Sequence, residues 1–326
     1  MSLGTTAPIP NQPEATAEAT LKQPGRLSMR LADIRRLLTQ NPKVLIGVII
    51  VGFFVLVALI GPLLVQKDPT FSYPDKLAAP SAEHWFGTTK LGEDVFTQLI
   101  YGTRSSILWG FLTGIFVTVI SVVVGLTAGY FGGLVDDIIS LIINVFLVLP
   151  AFPLAVLIAA YIPFKGSITV TIVIALTSWA WGARVLRGQT LSMRKRDFIE
   201  AARSSGESSF HIIFWEILPN QLAIIAANII GTVVYVILAE AGLEFLGLGD
   251  TTTVSWGTMF YWAQNNDALL LGAWWWFLPP GVCIALLGAG LSLINFGIDE
   301  YADPRLRRER IPKAILRKLR MLQKGQ

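Results

Sequence analysis

The chain has 326 residues, of which 53% are hydrophobic and only 15% charged, with a mean hydropathy of +0.59. That composition belongs to a polytopic membrane protein and not to a soluble globular one. A single cysteine, Cys283, excludes an internal disulfide or a cysteine-built metal cluster, and His84 and His211 stand in no metal-ligand spacing.

Residues 1–25 are rich in Ala, Thr, Pro and Gln without apolar periodicity, the composition of a disordered tail. Residues 26–43 are basic and partly amphipathic and lead into a charge-free run at 44–65. That run measures about 33 Å as a helix, enough to cross a bilayer, and it starts too late for a cleavable signal peptide. Residues 66–104 carry both charge signs with Pro69, Pro74 and Pro80, and are expected to form an irregular extracytoplasmic segment. Further apolar runs predict spans at about 106–130, 134–162, 168–183, 222–243 and 274–298. Asp136 and Asp137 open the third of the six, where the helix dipole favours them. Pro150 and Pro153 fall near its middle, where prolines kink a helix or open it onto a cavity. The predicted fold class is all-α, a six-span polytopic membrane protein with its core at 105–300 and a basic tail at 301–326.

Lys and Arg set the orientation. Six lie in the N-terminal tail, six between Arg184 and Arg203 and nine in the C-terminal tail. The segment 66–104 holds four, and the loop after the third span one, Lys165. Both termini and the loop 184–221 are therefore expected on the cytoplasmic side of the cell (inner) membrane. This placement and anionic lipid account for the basic tail without nucleic acid.

The loop carries the most patterned polar stretch of the chain, residues 197–219. Asp197 is placed to N-cap a short helix, with Glu200 reaching back in a capping box. Ala201 and Ala202 add no bulk, and Gly206 supplies a turn. Ser208 or Ser209 caps a second helix in which Phe210, Ile213, Phe214 and Ile217 share one face. Leu218-Pro219 then closes the insert before the apolar run resumes at Leu222. Capping, a turn and an apolar stripe suit a docking element better than a solvated connector.

No G-x-x-x-x-G-K-[ST], H-E-x-x-H or G-x-S-x-G occurs, and ionisable residues are nearly absent from the spans. These absences argue against a membrane enzyme and against an ion-driven transporter working alone. Energy is expected to reach the chain from outside, through the loop.

Glu200-Ala201-Ala202, Gly206 and Leu218-Pro219 resemble the EAA loop of bacterial ABC-importer permeases, with Glu216 where Ile is usual. The wider chain is similar to the C-type permeases of the dipeptide, oligopeptide and nickel group. Residues 45–69 resemble their N-terminal span. Phe86-Gly87-Thr88, Leu91-Gly92, Asp94 and Gly102-x-Arg104-x-Ser106 match their first periplasmic motif. Glu240-Ala241, Phe245-Leu246-Gly247-Leu248-Gly249 and Ser255-Trp256-Gly257 match the segment after the fifth span, and Asp303-Pro304-Arg305 the C-terminal end. The chain departs from the pattern at Thr89, where the group often has Asp, and at Glu93 and Gln98, where it often has Arg. The ending at 296–300, with Trp274-Trp275-Trp276 before Pro279-Pro280, is more usual in a branch associated with oligosaccharides.

The resemblance implies a type I ABC importer permease fold and one half of a pathway. It implies a second homologous permease subunit, two ATPase subunits that carry ATP and Mg²⁺, and an extracytoplasmic solute-binding protein. The chain itself is then expected to bind no cofactor or metal and to hold no catalytic residue. The implied cargo is a dipeptide or oligopeptide, with oligosaccharide or nickel as alternatives and a stand-alone secondary transporter as the alternative class. Asp197, Glu200, Ala201, Ala202, Gly206, Leu218 and Pro219 are expected to couple to the ATPase. Pro150, Pro153, Asn228 and Glu240 are expected to line or gate the path, Glu240 otherwise reaching interfacial water. Trp256, Tyr261 and Trp262 are expected to contact the binding protein or else to join an interfacial aromatic belt.

Overall fold

The computed structural model describes residues 41–302, with side chains to Ile298. The expectations for the tail at 1–25 and for the motif at Asp303 lie outside the described residues. Among these, every regular element is a helix. α1 (Pro42–Leu64) is capped by Asn41, whose Oδ1 accepts the Lys43 amide, with Pro42 in the first turn.

α2 (Val95–Phe131) is 37 residues long, about 55 Å, and begins well before the expected 106. Its start is fixed by Asp94, whose Oδ2 accepts from the Thr97 amide at 2.9 Å and the Thr97 hydroxyl at 2.6 Å. The other carboxylate oxygen lies 2.9 Å from His84 Nδ1. The segment 66–104 is therefore irregular only to Asp94 and helical beyond it.

The expected third span is two helices, α3 (Gly133–Val148) and α4 (Ala151–Tyr161), set at 88° to each other. Pro150 N-caps α4 and Pro153 sits in its first turn, where a missing amide leaves no helical bond unmade. α5 (Ser167–Met193) runs past its expected end at 183. It can do so because Arg184 Nη2 donates to Asn144 Oδ1 and Arg187 forms a bidentate pair with Asp136, Nη2 to Oδ2 at 2.7 Å. There follow α6 (Asp197–Ser204), α7 (Ser209–Phe245), α8 (Trp256–Asn265) and α9 (Trp274–Ala302).

Five of these helices are long and apolar enough to cross a membrane, six spans in all if α3–α4 is one broken crossing. Helix register decides that point. Thr113 meets Thr171 at 2.8 Å, and Ser121 donates to the Trp179 carbonyl at 2.8 Å, both pairs 58 residues apart. A Cβ added to Gly125 would lie 2.7 Å from the Ala183 carbonyl, and one on Gly129 2.8 Å from that of Arg187. A constant offset means that α2 and α5 run parallel. Parallel neighbours require a link that returns from one end of the bundle to the other, so α3–α4 crosses.

α7 runs antiparallel to α2, with Ile237 against Gly110 and Val233 against Gly114. Close helix approach over small residues is how apolar helices associate where water supplies no drive. The crossings bring α6 and both ends of the described chain to one end of the bundle. The segments 65–94 and 246–273 lie at the opposite end.

Candidate functional site

The one fully buried side chain of α6 is one that sequence reasoning passed over. Ile199 is fully buried among Leu126, Leu186, Ile212, Ile217 and Ile225, with Ala202 packed beside it. Glu200 and Ala201 are exposed on the other side. The expected capping box at Asp197 is not formed. The N-cap is Arg196, extended at φ −83°, ψ 147°, with no side-chain bond, and Asp197 is already in the first helical turn. The reason lies in the approach from α5: the Arg196 amide is tied to the Met193 carbonyl at 3.0 Å and the Arg196 carbonyl already accepts the Glu200 amide at 3.2 Å, so the helix starts one residue earlier than a cap at Asp197 requires. Asp197 and Glu200 still place two acidic groups in the first turn, where the dipole favours them.

Gly206 ends α6 at φ +81°, with nothing within 4 Å of a Cβ built on it. The Glu207 amide returns to the Ala202 carbonyl at 3.2 Å and the Gly206 amide to that of Arg203 at 3.0 Å, a Schellman turn. Glycine is required here by backbone angle, not by space. Ser208 caps the next helix, its Oγ accepting the His211 amide at 3.3 Å.

The apolar stripe expected on that helix is split. Ile212–Ile217 is wound as a π-helix, in which residues five apart stack. Ile212 and Ile217 consequently both point inward at 0% exposure, while Phe210, Phe214 and Trp215 are exposed. Leu218-Pro219 does not end the insert either. α7 continues through it into the membrane-spanning part, with Pro219 in the first turn of the α-helical portion. A proline there cannot bond the preceding turn, and the wider π winding accommodates its ring.

A cavity of about 730 Å³ opens beside the corner between α3 and α4. Leu149 and Pro150 line it from the corner, Ser178 and Trp181 from α5, Asn228 and Tyr235 from α7, and Asn295 from α9. No charged side chain is among its lining residues. Asn228 Nδ2 and Asn295 Oδ1 are buried without hydrogen-bond partners. The structure therefore brings Asn228 and Pro150 together in the lining of one cavity and leaves Pro153 and Glu240 out of it.

Glu240 does not reach water. It is 5% exposed, and its Oε2 has no hydrogen-bond partner. Glu244, one turn on and also buried, accepts from the Ser255 hydroxyl. Trp256, expected at the surface, is fully buried and packs edge-on against Phe54 at 5.8 Å. Its amide donates to Ser106 Oγ at 3.0 Å, which draws the start of α8 down onto α2. Trp262 is 39% exposed and Tyr261 half-buried, so these two and not Trp256 present a surface.

Thr89, Glu93 and Gln98, the three departures from the C-type pattern, are bonded to one another. Glu93 Oε2 accepts from Gln98 Nε2 at 2.9 Å and from Thr89 Oγ1 at 3.3 Å. Among the described residues no group of three or more His, Cys, Asp or Glu is placed to hold a metal ion.

A family model described as "Binding-protein-dependent transport system inner membrane component" matches residues 121–308. A second, "N-terminal TM domain of oligopeptide transport permease C", matches 30–80. The chain is 34% identical to the dipeptide transport system permease protein DppC of Alkalihalophilus pseudofirmus, over 92% of this chain and 96% of that one. Against DppC of Bacillus subtilis it is 35% identical over 85% of this chain and 86% of the relative. Against the oligopeptide permease OppC of the same organism it is 32% identical over 82% and 87%. A solved chain of the MetNI methionine ABC transporter, in inward facing conformations, shares the fold at a TM-score of 0.50 and 19% identity, covering 65% of this chain and 97% of that one. With the six-span bundle and its α6 projection, these matches settle the assignment: the chain belongs to the family of binding-protein-dependent transport system inner membrane components.

Proposed function

We propose that the chain is the permease subunit of an ATP-driven importer of dipeptides or oligopeptides. The relatives' peptide cargo supports that substrate class. The Lys and Arg distribution supports a cytoplasmic location for the α6 end and both termini. Separate ATPase subunits, with ATP and Mg²⁺ bound to them, dock against the outward side of α6, where Asp197, Glu200 and Ala201 are met first. A second, homologous permease closes the cavity at Asn228 and Pro150 into a path, and a solute-binding protein delivers cargo at the opposite end. ATPase closure moves α6, and the bundle rocks between its two access states.

The observation that carries this reading is the mounting of α6. It is clamped from beneath by Ile199 and free above at Glu200 and Ala201, so a push on its outer side is delivered to α2, α5 and α7. The test is reconstitution in proteoliposomes with and without the ATPase subunits, with uptake of a labelled tripeptide as readout. Uptake is expected only with both ATPase subunits and ATP. Concentrative uptake by this chain without companions, or a complex in which Ala201→Cys forms no cross-link to an ATPase cysteine, overturns the proposal.

A further inference from the structure

The end of the bundle opposite α6 holds a smaller cavity of about 190 Å³. Thr70, Glu93 and Gln98 line it from one segment, and Thr251, Thr252 and Trp262 from the other. It shares no lining residue with the larger cavity. Glu93 is half-buried at its wall, and both hydrogen bonds to its carboxylate come from neutral donors. It makes no ion pair among the described residues, and the charge that acts on it is Asp68, of the same sign. Asp68 is held nearby by the Thr70 amide and hydroxyl at 2.8 and 2.7 Å. Burial lifts the Glu93 carboxyl above its ordinary 4.5, the mark of a carboxylate short of a cation. The Trp262 indole is pinned at the wall by Nε1 donating to the Thr251 carbonyl at 3.1 Å, and an indole face attracts cations. Negative charge, a rim of hydroxyls and an aromatic wall together select a cation.

We propose that this cavity receives the cationic end of a lysine or arginine side chain from the protein that docks on this end of the bundle. The identification of that protein as the solute-binding protein rests on the function proposed above. A docked side chain is favoured over a solute amine because the cavity is separate from the wall at Asn228 and Pro150, so cargo lodged here would be off the path.

The test uses the complete complex in nanodiscs and reads the Kd of its solute-binding protein by biolayer interferometry at low and high salt. E93Q is expected to raise the Kd about tenfold at low salt, with a smaller difference at high salt. E93R raises it further, and one Lys→Glu or Arg→Glu change on the binding protein restores affinity to E93R alone. E93Q is nearly isosteric and carries the test if E93R does not assemble. A Kd within about twofold of wild type for E93Q at low salt, or a loss with E93R that no charge reversal recovers, overturns the inference. If N-acetylation of the peptide cargo reproduces the E93Q loss, the cation belongs to the solute and the docking assignment falls. A wild-type complex that binds no solute-binding protein at all refutes the proposed function instead.

Discussion

Ile199→Ala isolates the mounting of α6 from everything else in the bundle. α6 has eight residues, too few to hold a helix unaided, so its position depends on what its one buried side chain meets. Ile199 is 0% exposed within a wholly apolar cluster. Truncation there costs about 3 kcal/mol, which is about 150-fold in the equilibrium between docked and loose α6. Ile199→Val removes a single methyl group and costs about 1 kcal/mol, about fivefold. Neither change alters a residue of a span or the contacts between α2 and α5, so insertion and subunit assembly are expected to survive. The assay is the ratio of peptide transported to ATP hydrolysed in proteoliposomes. Ile199→Ala is expected to hydrolyse ATP with transport nearly lost, and Ile199→Val to fall between it and the wild type. A wild-type ratio for Ile199→Ala would refute the clamp, and so would failure of the protein to insert.

Gly125→Leu forces a side chain against the Ala183 carbonyl, 2.7 Å from the new Cβ, and is expected to abolish a folded bundle in detergent; Gly52→Ala, with open space around it, leaves the melting temperature unchanged. Asp94→Ala removes the α2 cap and strands buried His84, at about 2 kcal/mol; Asp94→Asn, which keeps an acceptor for Thr97, is expected to melt between the two. Gly206→Ala must hold φ +81°, at about 1 kcal/mol, and lowers the coupling ratio more than Gly206→Asn does. Glu93 has its folded pKa raised above 4.5 by burial, so the folded state holds its proton longer and stability falls as pH rises through that window. E93Q has no such slope, and its melting temperature relative to wild type is expected to rise between pH 4 and pH 8; a gap that moves the other way would refute the assignment.

What could be read from the sequence was what local chemistry writes. Gly206 and Ser208 act over a few residues, and both behave as their types dictate. Pro150 and Pro153 announced a disturbance in the third span, though not that it would reach 88°. The π winding at Ile212–Ile217 was not legible, because an extra residue in a turn leaves no periodic signature in six residues. Ile199 escaped notice because Phe198 beside it is larger and equally apolar, and only the tertiary cluster shows which of the two is buried. Trp256 resembled an interfacial aromatic. Its burial is set by Ser106 and Phe54 on two other helices, and such distant partners leave no trace around position 256.

The parallel seam between α2 and α5 constrains how the bundle can move. At Gly125 and Gly129 backbone lies almost on backbone, and a slide of one residue would drive side chains into those gaps. The two helices must travel as a single beam. Compliance then falls to the joint where α3 meets α4, and Pro150, at that joint, lines the larger cavity. The beam and the elbow divide the labour: one transmits displacement, the other converts it into a change of shape around that cavity.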